Sequence, residues 1–489
     1  MQAERTADYG SGHLLEMQLR DGEHTFQLAE YERDNLHREV HRRQGNLWRQ
    51  TEYDVSGRIN HRRTAQERNS IRGVTAEEWY TWDNGDRLIQ ERVSWPKEPV
   101  PAVRVYRWDN ADRIIRVEHN DSSGIREEEF RYDACGNLFD SKPCPACRTE
   151  EYRNTQYRYD EFGRLSRKWN HSLEQRFEYD ADSRLVKVKN VRGTLYTQVE
   201  MEYDLLGRRT LKRAHHRWTN AVEETRFGWT GLRLYGEKQP DCPEVLFTYE
   251  EGSYAPLARV VGRGESTGVQ WFRNGLNGNP EALTDGNGVL KWRQREPVLW
   301  GKTQYEDLTD GQGVMQNLRF QGQYLDRETG LHYNLFRYYD PECGRFTQQD
   351  PVGLAGGLNL YQYAPNPLSW IDPLGLSKRC DYLGRTPGKK SKTGRDVIER
   401  MRAEDKVRGY GSRTIFKDSK GKWRPLSEAD MSHKTDAVTW WNNTGRYLGP
   451  KSKAVREWMK NPENYYLDHY SINRSQGAKL GQVYFPPVE

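Results

Sequence analysis

A chain of 489 residues is too long for one ordinary compact core, and its composition excludes several classes of protein. Only 35% of the residues are hydrophobic but 12% are aromatic, which excludes both a single large apolar core and a disordered chain. No run of about 18 apolar residues is present, so we expect no membrane span. The N-terminal sequence MQAERTADYG lacks the apolar segment of a secretory signal, so any export is expected to use another route.

The net charge of +5 is unevenly distributed along the chain. Residues 377–489 contain 24 Lys and Arg against 13 Asp and Glu, whereas residues 1–376 contain 52 against 58. A charge break of this size predicts two units with different partners. The basic unit is suited to a polyanion, and the acidic unit is suited to holding a basic cargo.

A short phrase recurs before residue 210: an aromatic residue and Asp, then Gly or Asp, then Arg or Asn and, in most copies, an aliphatic residue. Its seven aspartates are Asp54, Asp83, Asp109, Asp133, Asp160, Asp180 and Asp204, which are 20 to 29 residues apart. A fixed phrase at such a spacing predicts a repeat architecture.

Each repeat is predicted to be a β-hairpin. The aromatic residue ends a strand, Asp and Gly form the turn, and the aliphatic residue opens the next strand. Flanking segments such as 184–188 alternate polar and apolar residues, which is the period of a strand. Hairpins stacked side by side would form a mostly β solenoid.

The six cysteines do not follow the spacing of a secreted disulfide framework. Cys144 and Cys147, with Cys135 nearby, offer three zinc ligands but no fourth. We therefore interpret them as reduced thiols in a turn.

The strict repeat fades between residues 210 and 320, and a dense motif region follows at 320–376. It closes with two Asp-Pro-x-Gly-Leu phrases, at 350–354 and 372–376. This region resembles the core of the Rhs (YD-repeat) polymorphic toxins. The resemblance implies that the hairpins form a hollow cocoon around a toxin, with a YD-repeat shell over 1–319, an Rhs-associated core over 320–376 and a toxin domain over 377–489. The sequence begins in mid-repeat without the N-terminal half that such shells carry, so we expect a partial shell.

The resemblance also implies self-cleavage between Leu376 and Ser377. Asp350 and Asp372, in the two matching phrases, become the candidate catalytic pair, with Arg345 as a supporting cation. Two carboxylates that share one proton can hydrolyse a peptide bond, because one activates water and the other polarises the carbonyl group. The residues alone favour the simpler interpretation that both aspartates are turn residues before proline, and the resemblance reverses that preference.

The region 377–489 is predicted to be a small α+β domain that is mainly helical. A basic, Gly-rich linker precedes a helix over 395–404, a strand and turn over 413–423, and short helices over 437–443 and 452–460. The segment from Pro462 is predicted to be a helix that ends near Gly477. On that helix His469 and Asn473 would share one face, because they are four residues apart.

This region resembles HNH/endonuclease VII toxins of the GH-E and SHH branches, on Ser432-His433 and on the runs 467–469 and 473–475. The resemblance implies a ββα-metal nuclease that degrades DNA. His433 would be the general base, and Asp430, Asp468, His469 and Asn473 are the candidate metal ligands. Mg²⁺ is the expected ion, with Zn²⁺ and Ni²⁺ as alternatives.

The implied protein is an antibacterial effector made in the cytoplasm and exported without a signal peptide, which acts in the cytoplasm of a target cell. Its implied partners are a cognate immunity protein, target DNA, a type VI spike-type secretion machinery and a chaperone or adaptor. Two alternatives stay open. The C-terminal domain could be another toxin, such as an RNase or an ADP-ribosyltransferase, or the chain could be a non-enzymatic surface or scaffold protein.

Overall fold

The computed structural model describes residues 2–8, 13–21, 24–68, 73–96, 98–140, 149–262, 267–308, 315–351, 359–376, 387–389, 391–435, 437–448 and 452–469. They divide into two compact units. The first contains Met1–Trp82, Leu88–Gln349 and Asn359–Gly375, and the second contains Asp83–Arg87, Asp350–Leu358 and Leu376–Glu489. The predicted mostly β, repeat-built architecture of the shell is confirmed.

Two large antiparallel sheets form most of the first unit. Within each sheet, every strand pairs with the next strand along the chain. The strands of the first sheet are β1 Gln2–Asp8, β2 Leu14–Asp21, β3 His24–Arg33, β4 Glu39–Gln44, β5 Leu47–Tyr53, β6 Ile59–Ala65, β7 Val74–Trp82, β8 Leu88–Ser94, β9 Ala102–Trp108, β10 Ile114–Asp121 and β11 Gly124–Glu129. The strands of the second sheet are β12 Glu151–Tyr152, β13 Thr155–Tyr159, β14 Leu165–Trp169, β15 Glu174–Tyr179, β16 Leu185–Arg192, β17 Tyr196–Tyr203, β18 Arg209–His216, β19 Val222–Thr230, β20 Arg233–Lys238, β21 Val245–Tyr249, β22 Pro256–Val261, β23 Gly268–Asn274, β24 Pro280–Thr284, β25 Leu290–Arg295 and β26 Tyr305–Leu308.

The repeat phrase forms the same turn each time. In the turn after Tyr53, one carboxylate oxygen of Asp54 accepts hydrogen bonds from the amides of Ser56 and Arg58, and the other accepts from Nε of Arg58 at 2.6 Å. The third residue after Asp has positive φ, as at Gly57 (φ 78°) and Asp86 (φ 62°), which favours Gly. The Asp–Arg pairs are Asp34–Arg38, Asp54–Arg58, Asp83–Arg87, Asp109–Arg113, Asp160–Arg164, Asp180–Arg184 and Asp204–Arg208, and Asn137 replaces Arg beside Asp133.

The aromatic residue of the phrase links neighbouring repeats. Its polar hydrogen reaches back to a backbone carbonyl near the start of an earlier strand, usually that of the aliphatic residue. Trp and Tyr exchange at this position because the indole N–H and the phenol O–H both donate. The bonds are Tyr53 to Glu39, Trp82 to Ile59, Trp108 to Leu88, Tyr132 to Ile114, Tyr179 to Leu165, Tyr203 to Leu185, Trp229 to Arg209 and Tyr249 to Leu234.

A third, four-stranded sheet follows the shell strands and packs onto them within the first unit. Its strands are β27 Tyr324–Asp326, β28 Leu331–Asn334, β29 Arg337–Asp340 and β30 Arg345–Phe346. Buried ion pairs attach it to the second sheet: Lys168–Asp340 at 2.7 Å, Arg209–Asp326 at 2.6 Å and Lys212–Glu328 at 2.8 Å. Breaking such a pair on one side leaves a buried charge without its partner, so this sheet is strongly positioned.

The described part of the C-terminal domain is α+β. Its helices are α1 Lys392–Ala403, α2 Ala437–Trp440, α3 Arg446–Leu448 and α4 Lys453–Lys460, with a π-helical turn at Trp441–Gly445 and short 3-10 turns at Gly411–Arg413, Leu426–Glu428 and Pro462–Asn464. Its strands are β31 Val407–Arg408, β32 Ile415–Lys417, β33 Trp423–Pro425, β34 Ala429–His433 and β35 Tyr465–His469. The predicted helix from Pro462 is wrong over 465–469, which form a strand paired with β34. Tyr465 and Leu467 alternate into the core there, and β pairing buries them.

Two further predictions concern the cysteines and the absence of a membrane span. Cys135 is in a disulfide bond, so its interpretation as a reduced thiol is wrong, while Cys144 and Cys147 lie outside the described residues. Within the described part of the chain, no helix is long and apolar enough to cross a membrane.

Candidate functional site

The four-stranded sheet holds the segment that ends at the predicted cleavage bond. Nδ2 of Asn334 donates to the carbonyl of Asp372 at 2.8 Å, and Nε of Arg337 donates to the carbonyl of Gly375 at 2.6 Å. The amide of Phe336 contacts the carbonyl of Leu374 at 3.4 Å. Three of the four carbonyl groups from Asp372 to Gly375 are therefore held just before Leu376.

Two glycines permit this close approach. A Cβ on Gly322 would lie 2.0 Å from the carbonyl oxygen of Pro373, and a Cβ on Gly375 would lie 2.7 Å from the carbonyl oxygen of Asn334. Both glycines have positive φ, 85° and 66°. Any side chain at either position would push the 372–375 segment off the sheet.

Arg337 is the centre of this arrangement. It is 1% exposed and its guanidinium group lies 3.7 Å from the ring centroid of Phe346. It also donates to the carbonyl of Leu360 at 3.0 Å and pairs with the carboxylate of Asp372 at 3.4 Å. A buried guanidinium with these partners holds both the backbone at Gly375 and the carboxylate of Asp372, one of the two predicted catalytic residues.

The other predicted residues of the cleavage site lie nearby in sequence. Arg345 is buried, donates to Thr149 and lies 4.5 Å from the ring centroid of Tyr361. Asp350 is buried, and Leu376 is half-buried at the end of the described 359–376 segment. Ser377 lies outside the described residues. The roles of Asp350, Asp372 and Arg345 stay predictions, and Arg337 is a residue that our sequence reasoning missed.

In the C-terminal domain, the two-stranded antiparallel sheet of β34 and β35 carries four of the five predicted nuclease residues. His433 pairs with Tyr465 at one end, and Ala429 pairs with His469 at the other. Four residues of strand separate the two histidines, which is about 13 Å at about 3.3 Å per residue. Their side chains leave the same face of this sheet but at opposite ends of it, so they do not converge on one ion.

The two acidic residues lie on the opposite face. Asp430 on β34 pairs with Asp468 on β35, and Asp468 is fully buried. Its carboxylate accepts hydrogen bonds from the amide of Ser419 at 3.1 Å and from Oγ of Ser419 at 2.8 Å. These contacts link β35 to the turn after β32.

Each histidine has its own surroundings. The His433 ring stacks on Trp458 with centroids 5.3 Å apart and lies 4.5 Å from Tyr465. Nε2 of His469 lies 3.3 Å from the carboxylate of Glu428. The predicted i,i+4 pairing of His469 with Asn473 on a helix is wrong at His469, which ends a strand, and Asn473 lies outside the described residues. No group of three His, Cys, Asp or Glu side chains able to hold a metal ion occurs among the described residues.

Comparison with known proteins agrees with the shell architecture. The Teneurin YD-shell family model matches residues 14–220. A double-stranded DNA deaminase toxin A from Burkholderia cenocepacia is 34% identical over 406 residues, which cover 76% of this chain and 27% of that protein. Probable deoxyribonuclease RhsA from Dickeya dadantii is 34% identical over 258 residues, covering 49% of this chain and 16% of that protein.

A third relative and two solved structures are also similar to this chain. Toxin protein Tse5 from Pseudomonas aeruginosa is 34% identical over 261 residues, covering 47% of this chain and 19% of that protein. A TcdB2–TccC3–Cdc42 crystal structure aligns with a TM-score of 0.52 at 18% identity, covering 75% of this chain and 20% of that one. A structure of the Photorhabdus luminescens Tc holotoxin pore aligns with a TM-score of 0.51 at 17% identity. The alignment covers 75% of this chain and 20% of that one. The chain thus spans between 16% and 27% of the length of these curated relatives.

The hairpin ladder, its repeated turns and the family match define a YD-repeat shell. The chain belongs to the Rhs/YD-repeat polymorphic toxins.

Proposed function

We propose that this chain is part of an antibacterial Rhs effector whose shell holds a C-terminal toxin and cuts itself after Leu376 to release it. The observation that carries the proposal is the hold of Asn334 and Arg337 on residues 372–375. A peptide bond is cut efficiently only when its carbonyl group is fixed relative to the catalytic groups. The acidic shell region and the basic region 377–489 also favour retention of the toxin after cleavage.

The proposed chemistry uses two carboxyl groups and water. Arg337 places a positive charge beside Asp372, which favours the ionised carboxylate and makes Asp372 the base that takes a proton from water. Asp350 would supply the second carboxyl group, which polarises the carbonyl of Leu376. The hydroxide adds to that carbon, and the C–N bond breaks as the nitrogen of Ser377 takes up the proton that Asp372 removed from water.

Substitution of either aspartate tests this proposal. We expect Asp350→Asn and Asp372→Asn each to leave a single band of 57.5 kDa on a denaturing gel, because one carboxyl group cannot serve both roles. Asp182→Asn is the matched control, since its side chain is 73% exposed and lies in a shell turn. Cleavage in either catalytic-site variant would overturn the assignment.

For the released domain we propose a nuclease that acts on DNA, with His433 as general base. The supporting observations are the excess of 24 basic over 13 acidic residues in 377–489 and the relative RhsA, which is named as a probable deoxyribonuclease. The described candidate ligands do not converge on one ion, so we derive no step through Mg²⁺, Zn²⁺ or Ni²⁺. Dependence on a divalent ion is a prediction that EDTA tests.

The aromatic surroundings of His433 allow a sharp experiment. His433→Phe keeps a flat ring against Trp458 and Tyr465 but removes the imidazole nitrogens, whereas His433→Ala removes both. A general base predicts that both variants lose plasmid degradation in a bacterium that expresses the full chain without an immunity protein. Full activity of His433→Phe would assign the ring a packing role only. Growth arrest with intact DNA would favour another toxin chemistry.

The cellular part of the proposal follows from family membership. We propose synthesis in the cytoplasm, export by a type VI spike-type machinery with a chaperone or adaptor, and action in the cytoplasm of the target cell. A cognate immunity protein would protect the producer. Co-expression of a neighbouring open reading frame that restores growth, without affecting cleavage after Leu376, tests this part.

A further inference from the structure

The small sheet β31–β33 has one buried and one open face. Its register pairs Arg408 with Ile415 and Lys417 with Trp423, so these four side chains lie on the same face. Phe416 points the other way and is fully buried in the core of the domain. Ile415 is 36% exposed although it is apolar, and Arg408 and Lys417 are also exposed.

Arginine side chains lie over aromatic rings in β31–β33 and in the residues that flank β31. The guanidinium group of Arg408 lies 4.4 Å from the ring centroid of Trp423, and that of Arg402 lies 4.3 Å from the ring centroid of Tyr410. Tyr410 is 78% exposed. Stacked cation and ring pairs of this kind offer both a charge for a phosphate group and a flat surface for a base.

The charge around the sheet is strongly positive. Residues 404–424 contain seven Lys and Arg and three carboxylates. Asp418 is buried, where its carboxylate accepts from the amides of Lys420 and Lys422 and pairs with Arg424. The two exposed carboxylates, Glu404 and Asp405, pair with Lys406 and Arg408. The remaining lysines therefore set the charge that a partner meets.

This face is also connected to the proposed site of chemistry. The turn between β32 and β33 contains Ser419, whose amide and hydroxyl groups donate to Asp468 on β35. A polymer that lies along the outer face of β31–β33 is thereby held at a fixed position relative to the two-stranded sheet of β34 and β35. Lysines alone would suit any acidic partner, but the aromatic rings among the cations favour one that carries flat groups as well as charge.

We propose that the outer face of β31–β33, formed by Arg408, Ile415, Lys417, Trp423 and the neighbouring Tyr410, binds a nucleic acid through its phosphodiester backbone and stacked bases. This inference rests on the proposed action of the domain on DNA and adds the surface that holds it. Phosphate contacts are made without regard to sequence, so the surface is expected to be non-specific.

The test is binding of the purified full chain to a fluorescent oligonucleotide in EDTA, followed by anisotropy over a series of salt concentrations. Lys417→Gln should reduce the slope of log K against log salt by about 0.9, because each lost phosphate contact removes about that much. Trp423→Ala should weaken binding about tenfold through lost stacking. Lys453→Gln, which removes one exposed charge from α4, is the control and should bind almost like wild type.

Each outcome decides the proposal. Unchanged affinity and slope in both sheet variants, or no binding by wild type at low salt, would overturn it. Equal binding of polyglutamate, lost in the same variants, would also overturn it and indicate an acidic protein as the partner. Loss of binding in the variants together with no DNA degradation by wild type in Mg²⁺ would support the surface and reject the nuclease. Equal DNA degradation by wild type and by both variants would support the nuclease and reject the surface.

Discussion

The shell and the C-terminal domain differ in how their structures are encoded. In the shell, one phrase of about five residues forms the same turn eight times and the same aromatic link to an earlier strand. Among the described residues of the C-terminal domain no sequence phrase recurs at a regular spacing, and the described candidate site residues depend on different long-range contacts. A repeated local rule can be read from a sequence, whereas a single long-range arrangement leaves no periodic signal.

The largest effect should come from Arg337, whose contacts in the first unit are not part of the repeated pattern. Arg337→Lys keeps the charge but loses the planar group that reaches Gly375, Leu360 and Asp372 together. We expect self-cleavage to slow roughly hundredfold, as for a misplaced substrate segment. The measurement is the fraction cleaved against time, after synthesis in a cell-free system. Lys302→Arg, an exchange at a half-exposed ion pair, should not change the rate.

The repeated turn should respond in the same way wherever it is broken. Asp54→Ala and Asp204→Ala each remove an acceptor of two amide hydrogen bonds and one Arg hydrogen bond. We expect each to lower the free energy of unfolding by about 1–3 kcal/mol. Urea denaturation measures this, with Asp182→Asn as the control. Costs that differ widely between the two turns would contradict a common rule.

A smaller effect tests the aromatic link. Trp82→Phe removes the N–H that donates to the carbonyl of Ile59, and we expect a cost of about 1 kcal/mol. Trp82→Tyr restores a donor, as Tyr53 and Tyr203 provide in their own repeats, and should recover part of it. If Phe and Tyr are equivalent at this position in urea denaturation, packing alone explains the aromatic residue.

The smallest effect is a pH dependence of the shell. The hydrogen bond from Arg38 lowers the pKa of Asp34, and at Asp204 burial raises the pKa but the Arg208 hydrogen bonds outweigh it. Carboxyl groups with a lowered folded-state pKa stabilise the fold above the unfolded value of about 3.9, and that stability is lost as pH falls through the folded value. The melting temperature should therefore fall below about pH 4, and it should fall less in Asp204→Asn.

The hairpin architecture was predictable because Asp, Gly and Arg act within five residues. The repeat at Asp34 was missed, since Arg33 replaces the aromatic residue and His37 occupies the positive-φ position (φ 60°). Arg337 was missed because its partners are 23 to 38 residues away and no local pattern marks it. The helix predicted from Pro462 was wrong because the pairing of Tyr465 and Leu467 with β34 outweighs local preference.

Self-cleavage after Leu376 can be observed by intact-mass measurement of the purified wild-type chain. We expect two polypeptides that separate only on denaturation, with the new N-terminus at Ser377. A single species of 57.5 kDa that retains the Leu376–Ser377 bond would contradict this expectation.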